Sequence, residues 1–431
     1  MNPEFQRQLW LRLSFSRLVG MPLMIGLAAL AFYVLSNGSL NAVGGLGAVG
    51  FVLMVAGLGI QHAASSVVDE VQEKTWDQQR LCAMQPWSMT WGKWLGSTLM
   101  AWYGGLLCWI VAVACALHFG VPTAQIVWLS VLGVLLGIGA QTLGLTFNLV
   151  AAESGSIRQG RVATWLGLLL ILPWLLRLGD WSLYANASMQ WGGLTMSVLV
   201  FLLASATLAC VCTVVAAWRS MARALSVRQW PWGWPMLVLV LSVYMAGFMP
   251  ELNWQVFTVM GFIVAVGMTY LALLQERVSL PTWRRLVADA RLGDWPAAIQ
   301  SVPLWPTSLL LAILFVVPWP WVGMQPELKF LQTSLPVLLL LLVRDCLAAL
   351  CIGFTVRARS ATGVFLLYLV VIWLLLPLIV GGEATRSARV LVLPIFESTW
   401  VALIVALVQA GVAAMALIKV VRQKALLASR G

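Results

Sequence analysis

The sequence has few charged residues and few of the side chains that usually build catalytic or metal sites. Only 10% of its 431 residues are Asp, Glu, Lys or Arg, and there are two histidines, His62 and His118. Soluble globular domains carry about 25% charged residues, so this composition excludes an ordinary soluble protein. Because histidines are so few and the acidic residues are scattered, we expect no metal site.

Nucleotide-binding and nucleophilic motifs are also missing. A phosphate-binding loop has Ser or Thr directly after its Gly-Lys pair and a second glycine five residues before that pair. Here Trp94 follows Gly92 and Lys93, and Trp87 occupies the position of the second glycine. Six of the seven cysteines lie in apolar runs, where cysteine behaves as a small hydrophobic residue. We therefore expect no enzyme activity and no cofactor bound by this chain itself.

Long apolar runs fill most of the chain. Hydrophobic residues make up 61% of the sequence, and the mean hydropathy is +0.93. A transmembrane helix needs about 20 mostly apolar residues, so the recurrence of such runs predicts an all-α polytopic membrane protein. Twelve spans are predicted, at residues 18–35, 43–65, 95–117, 124–150, 162–178, 192–217, 233–248, 256–274, 304–322, 330–354, 361–380 and 399–421.

The basic residues are distributed unevenly between the two sides of the membrane. If the N-terminus lies inside, the inner segments hold 21 of the 26 Lys and Arg residues and the outer segments hold four. Cytoplasmic loops are enriched in Lys and Arg, so both termini are predicted to be cytoplasmic, and the net charge needs no nucleic-acid partner. On that side Phe5, Leu9 and Leu13 recur every four positions, which predicts an interfacial helix before the first span.

The chain divides into two halves of similar layout. Its two longest polar segments, 67–94 and 275–303, are both inner loops, and they follow the second and the eighth span. Each half also begins with a basic stretch before its first span. We therefore predict two six-span halves, 1–218 and 219–431, in parallel orientation because six is an even number.

The first inner loop has the most informative sequence. Acidic residues come first, and a polar helix is predicted from about Thr75 to Met84, with Thr75 as its cap. Pro86 is expected to break that helix, and the pair Gly92-Lys93 to open the third span. A short helix held between two spans at the cytoplasmic face is suited to receive force from a soluble partner. The residues predicted to serve this coupling are Glu70, Glu73, Thr75, Trp76, Asp77, Arg80, Pro86 and Lys93.

This loop resembles the coupling segment in permease subunits of type 2 ATP-binding-cassette (ABC) exporters. In that family the second span ends in a glutamate-containing stretch, followed by a threonine-led helix, a leucine, a proline and a Gly-Lys pair. In this chain Lys74 replaces the usual glycine before the threonine, and the second inner loop keeps only Glu276 and a proline-rich exit. The matching positions are Glu70 or Glu73, Thr75, Leu81, Pro86, Gly92 and Lys93.

The resemblance implies two half-permeases fused in one chain, in the cytoplasmic (inner) membrane of a bacterium. Separate ABC-type ATPase subunits would bind ATP and Mg²⁺ and would rock the two halves by pushing on the inner loops. Besides those subunits, membrane lipids are the expected partners, and substrate would pass between the halves. The family carries polysaccharides, lipids, peptides and drugs, so the resemblance leaves the substrate open.

Two other classes of protein remain open on the sequence. A secondary transporter of the major-facilitator type also has twelve spans, but it has a long central loop, and here the segment 218–232 is short. An integral membrane enzyme acting on lipid-linked substrates would need acidic or histidine clusters near one membrane face. The outer acidic residues occur singly instead, as Asp180, Glu251, Glu327, Glu383 and Glu397.

Arg344 and Asp345 lie together in the middle of the apolar run 330–354. A charge at the centre of a bilayer costs at least ~2.5–3.5 kcal/mol, so both side chains are expected to face protein or a water-filled cavity. Two interpretations stand: an internal polar lock, or part of the transport pathway. Adjacent helical residues point about 100° apart, so we expect each to pair with a polar group on a neighbouring span rather than with the other. Candidates are Gln141 or Asn148 of the fourth span, or polar groups in the other half.

Overall fold

The structure, a computed structural model, describes residues 2–81, 84–154, 187–227, 229–249, 253–276, 280–318, 329–356, 358–383 and 399–428. Within these ranges the chain is almost entirely helical, and the exception is one two-stranded hairpin, Ser188–Trp191 with Leu194–Ser197. Contacts divide the chain into two compact units. Unit 1 comprises Met1–Met189 and Thr195–Gln229, and unit 2 comprises Gln190–Leu194 and Trp230–Gly431. The sequence-based division at residue 218 stays a prediction.

The helices are numbered in chain order. In unit 1 they are α1 (Pro3–Arg12), α2 (Phe15–Leu35), α3 (Leu40–Gln72), α4 (Trp76–Arg80), α5 (Pro86–His118), α6 (Thr123–Ser154) and α7 (Val198–Ala224). In unit 2 they are α8 (Gly233–Ala246), α9 (Trp254–Gln275), α10 (Leu280–Arg291), α11 (Trp295–Ser301), α12 (Leu304–Val316), α13 (Lys329–Thr355), α14 (Ala358–Val370), α15 (Leu376–Glu383) and α16 (Thr399–Ala428). Short π-helical turns occur within α3, at Leu53–Leu58, and between α14 and α15, at Val371–Leu375.

Nine helices of the described residues are long and apolar enough to cross a membrane, and each coincides with one of the twelve predicted spans. Of the other three, the predicted ninth span, 304–322, begins with α12, which forms a broken pair with the preceding α11, bent by 91°. The seventh, α8, has 14 residues, or about 21 Å of helix, which is shorter than the ~30 Å hydrocarbon core. The fifth, at 162–178, lies outside the described residues. The chain is thus an all-α polytopic membrane protein.

Each unit has its own buried core. In unit 1 the ends of α3, α5, α6 and α7 on the side predicted to be cytoplasmic, called the inner ends below, meet around Val67, Met89, Leu145 and Met221, which are at most 1% exposed. In unit 2 a larger core forms around Phe262 and its neighbours from α8, α9, α12, α13 and α14. Because lipid tails are as apolar as these side chains, the cores stabilise the units mainly through close packing.

Two predicted span boundaries are wrong. The sixth span was predicted to begin at residue 192, but α7 begins at Val198, because Gly192 and Gly193 form the turn of the hairpin with φ of 60° and 79°. The third span was predicted to begin at residue 95, but α5 begins at Pro86. Proline suits the first helical position because its missing N–H would have no helical partner there.

The two short helices at the inner end of unit 1 also differ from expectation. The predicted coupling helix from Thr75 to Met84 is only the five residues of α4. The helix predicted before the first span is present as α1, but its polar residues Glu4 and Gln8 are buried against protein, and its position at the membrane interface stays a prediction. Trp10, on the other side of α1, is 88% exposed, and Leu11, near the end of the helix, is 65% exposed, so apolar area is available to lipid.

Candidate functional site

Lys93 is the centre of a buried polar cluster at the inner end of unit 1. Its side chain is fully buried, and Nζ donates to Glu70 Oε1 and Oε2 at 2.6 and 2.5 Å. The same ammonium donates to Glu4 Oε1 at 3.1 Å and to Gln79 Oε1 at 2.8 Å. The ring of Trp76 lies 5.5 Å from Nζ, within cation–π range. Lys93 thereby connects α1, the end of α3, the short helix α4 and the beginning of α5.

Arg7 is the second cation of this cluster. Its Nε and Nη2 donate to the Glu4 carboxylate at 3.0 and 2.8 Å, and Nη2 also pairs with Glu70. Gln8 Nε2 donates to Glu4 Oε1 at 3.0 Å. Two carboxylates therefore share two cations, and each carboxylate touches both. Buried charges are tolerated only with such pairing and hydrogen bonding, because the cost of removing them from water is several kcal/mol per ion.

The contacts shift the pKa values of the charged residues on α1. Burial raises the pKa of Glu4, but the hydrogen bonds from Arg7 and Gln8 and the charge of Lys93 outweigh it, so the pKa lies below its ordinary value. The hydrogen bond to Glu4 raises the pKa of the Arg7 guanidinium, against the lowering effect of burial. Glu4 and Arg7 are therefore both charged at neutral pH.

Two glycines one helical turn apart allow α1 to approach α5. A Cβ atom on Gly96 would lie 2.6 Å from Gln8 Cβ, and one on Gly92 would lie 2.9 Å from Asn2 Nδ2. Asn2 occupies that position because its Nδ2 donates to the Ser88 carbonyl oxygen at 2.5 Å, while its Oδ1 caps the N-terminus of α1. The glycine of the Gly-Lys pair thus has a packing role, since a side chain there would displace α1.

Lys74 adopts the left-handed backbone conformation that glycine usually occupies, with φ of 59°. It follows the last turn of α3, and the hydrogen bonds from Thr75 N to Glu70 O and from Lys74 N to Val71 O close that turn as a Schellman motif. A residue with a Cβ pays about 1–2 kcal/mol for this conformation. The lysine at this position therefore has a conformational cost that a glycine would avoid.

The predicted coupling residues of α4 do not share one environment. Thr75 precedes the helix, but its hydroxyl donates to Glu70 O at 3.3 Å and caps nothing, so the predicted capping bond is wrong. Trp76 is half-buried, whereas Asp77 has 85% of its side chain exposed. Arg80 lies between these extremes, because it is 41% exposed, pairs with Asp77 at 3.6 Å and donates to Ser226 Oγ at 2.8 Å.

The structure therefore separates five of the eight predicted coupling residues into two groups. Glu70, Trp76 and Lys93 meet inside the protein, where they fasten α4 to the two spans. Glu73 and Asp77 point outward, and Leu81, directly after α4, is 87% exposed. Pro86 belongs to neither group, and its part is to begin α5.

The second inner loop, which follows α9, is held in place by fewer contacts. Both carboxylate oxygens of Glu276, just after α9, accept a hydrogen bond from the backbone N–H of Leu304 at 2.8 Å, at the start of α12. The indole rings of Trp283 and Trp305 also lie 5.9 Å apart, which places α10 against the beginning of α12. In each unit, then, a glutamate at the inner end of one span binds the beginning of the next helix of the bundle.

Asp345 is the centre of a second buried polar cluster, within unit 2. It is fully buried, and its carboxylate accepts four hydrogen bonds. Oδ1 accepts from Arg344 Nε and the Tyr368 hydroxyl, both at 2.8 Å. Oδ2 accepts from the Tyr270 hydroxyl at 2.7 Å and from Trp373 Nε1 at 2.8 Å. The donors come from α9, α13, α14 and the π-helical turn, so this carboxylate joins four segments of the unit.

The expectation that Arg344 and Asp345 avoid each other is wrong. The long side chain of arginine bends along the helix surface, and its Nε reaches the neighbouring carboxylate despite the 100° between the two Cα–Cβ directions. Arg344 Nη1 donates to Gln409 Oε1 at 2.5 Å, and its guanidinium lies 5.6 Å from the Trp373 ring. The partners found are thus spans of unit 2, whereas the sequence-based candidates lay in the fourth span.

Those two candidates have local partners in unit 1. Gln141 Oε1 accepts from the indole N–H groups of Trp94 and Trp102 at 2.9 and 3.1 Å. Asn148 Nδ2 donates to the Gly144 carbonyl oxygen at 2.9 Å, one turn earlier on α6. The prediction that Arg344 and Asp345 find polar partners on neighbouring spans is therefore confirmed, but Gln141 and Asn148 are not those partners.

Several residues of the two clusters carry no signal in the sequence. Glu4 and Gln79 look like ordinary polar residues of inner segments, and Glu4 is 89 positions away from the lysine that it contacts. The aromatic donors of the second cluster are equally ordinary members of apolar runs. An unpaired lysine next to the start of a span was the available clue, because such a charge requires a nearby acid. Comparison of the chain with protein-family models, with curated proteins and with solved structures found no match.

Proposed function

We propose that the chain is the membrane-spanning permease subunit of an ATP-driven ABC transporter, which exports its substrate with energy from separate ATPase subunits. The observation that carries this proposal is the attachment of α4. This helix is bound through Gln79 and Trp76 to Lys93 of α5, and through Lys93 to Glu70 of α3. A push on α4 would therefore reach two membrane-spanning helices through short, buried contacts.

The exposed side of α4 supports the same proposal. Asp77 and Leu81 are four residues apart, so they lie on one face of this short helical segment, and both are more than four-fifths exposed. An exposed leucine beside a carboxylate fits a contact with a soluble partner, because it supplies apolar area together with a charge. The face of α4 that is turned toward the protein is occupied by the contacts of Trp76 and Gln79 with Lys93. The soluble partner and the membrane-spanning helices would therefore bind opposite faces of α4.

The direct test is co-purification of the tagged chain with ABC-type ATPase subunits from its native membrane, followed by measurement of ATPase activity. We expect the Asp77→Ala, Leu81→Ala double variant to fold normally and to lose most of the bound ATPase. Arg422→Ala, at an exposed position near the inner end of α16, is the control and should retain it. Transport by the purified chain alone, driven by an ion gradient and unaffected by the double variant, would instead identify a secondary transporter.

A further inference from the structure

A cavity of about 440 Å³ opens at the inner end of unit 1, between the short helix α4 and the ends of α3, α6 and α7. Its volume lies within the range of small-molecule pockets, about 300–1,000 Å³. Three basic side chains line it, each from a different segment: Lys74 after α3, Arg80 on α4 and Arg223 on α7. Asp77 and Trp76 line it as well. With three cations and one acid, the lining carries a net charge of about +2.

Two of the three cations in this cavity have no acidic partner within the described ranges, whereas Arg80 pairs with Asp77 at 3.6 Å. Arg7, Arg12 and Lys93 each form an ion pair with an acidic residue. Within the described ranges, Lys74 and Arg223 form none, although both line the same cavity. Cations that converge on one cavity without an acidic partner attract an anionic ligand, because the ligand then supplies the neutralising negative charge.

The backbone of Lys74 gives an independent indication. Its left-handed conformation favours glycine, so the side chain is present at a conformational cost. Strained positions of this kind cluster at ligand-binding sites, where the side chain is needed for its chemistry. What the Lys74 side chain provides here is a positive charge at the edge of the cavity.

The remaining lining fixes the class of anion. Val71, Leu149 and Ala152 supply an aliphatic wall, and Trp76 supplies an aromatic one. The cavity lies where three membrane-spanning helices end, on the side that the charge distribution assigns to the cytoplasm. The geometry points to a binding site for the phosphate of an anionic phospholipid headgroup, with Lys74, Arg80 and Arg223 around the phosphate and the aliphatic wall beside the first carbons of the lipid. Basic pockets between spans at this membrane face bind such headgroups.

This site goes beyond the proposed function, and its test needs no ATPase. The purified chain in neutral detergent is titrated with dioleoylphosphatidylglycerol, and bound lipid is counted by native mass spectrometry. Dioleoylphosphatidylcholine is the zwitterionic comparison. The variants are Arg223→Ala and Lys74→Gly, and the second relieves backbone strain, so loss of binding there is not loss of fold. Arg285→Ala, an exposed arginine on α10, is the matched control.

We expect one phosphatidylglycerol to bind the native chain more tightly than phosphatidylcholine. Each site variant should weaken that binding about fivefold, and the control should leave it unchanged, because one cation near the membrane surface contributes about that factor. Displacement of the lipid by millimolar inorganic phosphate, with the same dependence on the variants, would support the phosphate site and assign it a soluble ligand. Equal binding of the two lipids, or equal binding by site variants and control, would overturn the proposal.

Discussion

The ammonium nitrogen of Lys93 lies 2.5 Å from Oε2 of Glu70, and the two side chains are 0% and 7% exposed. The two residues stand at the ends of consecutive membrane-spanning helices, and the short helix α4 lies in the loop between them. Their contact therefore holds the two ends of this loop together. A buried charge pair of this kind is strongly destabilising to break, because removal of one member leaves the other uncompensated.

The first prediction concerns that pair. Lys93→Met should lower the free energy of unfolding by ~3–5 kcal/mol, because two buried carboxylates would then share the single cation Arg7. Thermal unfolding in detergent measures the loss. The double variant Lys93→Met, Glu70→Gln should recover part of it, since the excess negative charge is removed. Lys419→Met, at an exposed position, is the control. A single variant as stable as this control would show that Lys93 does not hold the loop.

The second prediction concerns the packing of α1. Gly96→Ala should destabilise the protein by about 1–3 kcal/mol, because the new Cβ would lie 2.6 Å from Gln8 Cβ and α1 must move away. Gly267→Ala is the matched control, since nothing lies within 4 Å of a Cβ at that helical position. There alanine should be neutral or stabilising by roughly 0.5–1 kcal/mol.

Accessibility of a buried position shows whether α1 itself has moved. A cysteine placed at position 8 should react slowly with a maleimide in the native background, because Gln8 is only 3% exposed. Together with Gly96→Ala it should react at the rate of an exposed cysteine. Slow labelling in both backgrounds would mean that α1 stays in place and that the strain is absorbed elsewhere.

The third prediction concerns acid. The pKa of Glu4 is lower in the folded protein than in the unfolded chain, so its ionised form stabilises the fold. That contribution is present above the ordinary glutamate pKa of about 4.3 and is lost as the pH falls through the lower, folded value. Thermal unfolding between pH 7 and pH 3 should therefore show a decline that begins near pH 4.5. Glu4→Gln should be less stable at pH 7 and should show a shallower decline over that interval.

The sequence was informative where the membrane itself sets the rule. Span lengths follow from bilayer thickness, so nine predicted spans coincide with long helices, and the cost of a buried charge singled out Arg344 and Asp345. It was uninformative where partners are far apart along the chain. Nothing in the pattern around Lys93 says that Glu4 will reach it, because that contact depends on how close α1 approaches Gly96.

Sequence rules for single residues gave wrong helix boundaries where two rules applied to the same residue. Pro86 was interpreted as a helix breaker, although the same ring also suits the first position of a helix, and the long apolar stretch that follows favours the second outcome. The predicted start of the sixth span failed because two consecutive glycines were counted as part of an apolar run. Their freedom to adopt positive φ lets the chain turn there instead.

The fourth prediction concerns the stability of Asp345 variants, for which the sequence and the structure lead to different expectations. Asparagine keeps the shape of aspartate, so Asp345→Asn would be expected to be milder than Arg344→Ala. However, the carboxylate accepts from four donors, and an amide offers one acceptor oxygen and two N–H groups of its own. The tyrosine hydroxyls can turn and accept, but the indole N–H of Trp373 and the Nε–H of Arg344 cannot.

At least one of those fixed donors would therefore face another N–H group in the buried cluster, and the guanidinium would lose its counter-charge. We expect Asp345→Asn to cost about as much as Arg344→Ala, ~3–5 kcal/mol in each case. Asp345→Glu should not restore the native stability, because its extra methylene displaces the carboxylate from the four donors. Thermal unfolding of the three variants and of a Thr355→Ala control, at an exposed position on α13, measures this. If the pair lines the transport pathway instead, the variants should unfold like the control and lose transport, because a solvated charge is not needed for stability.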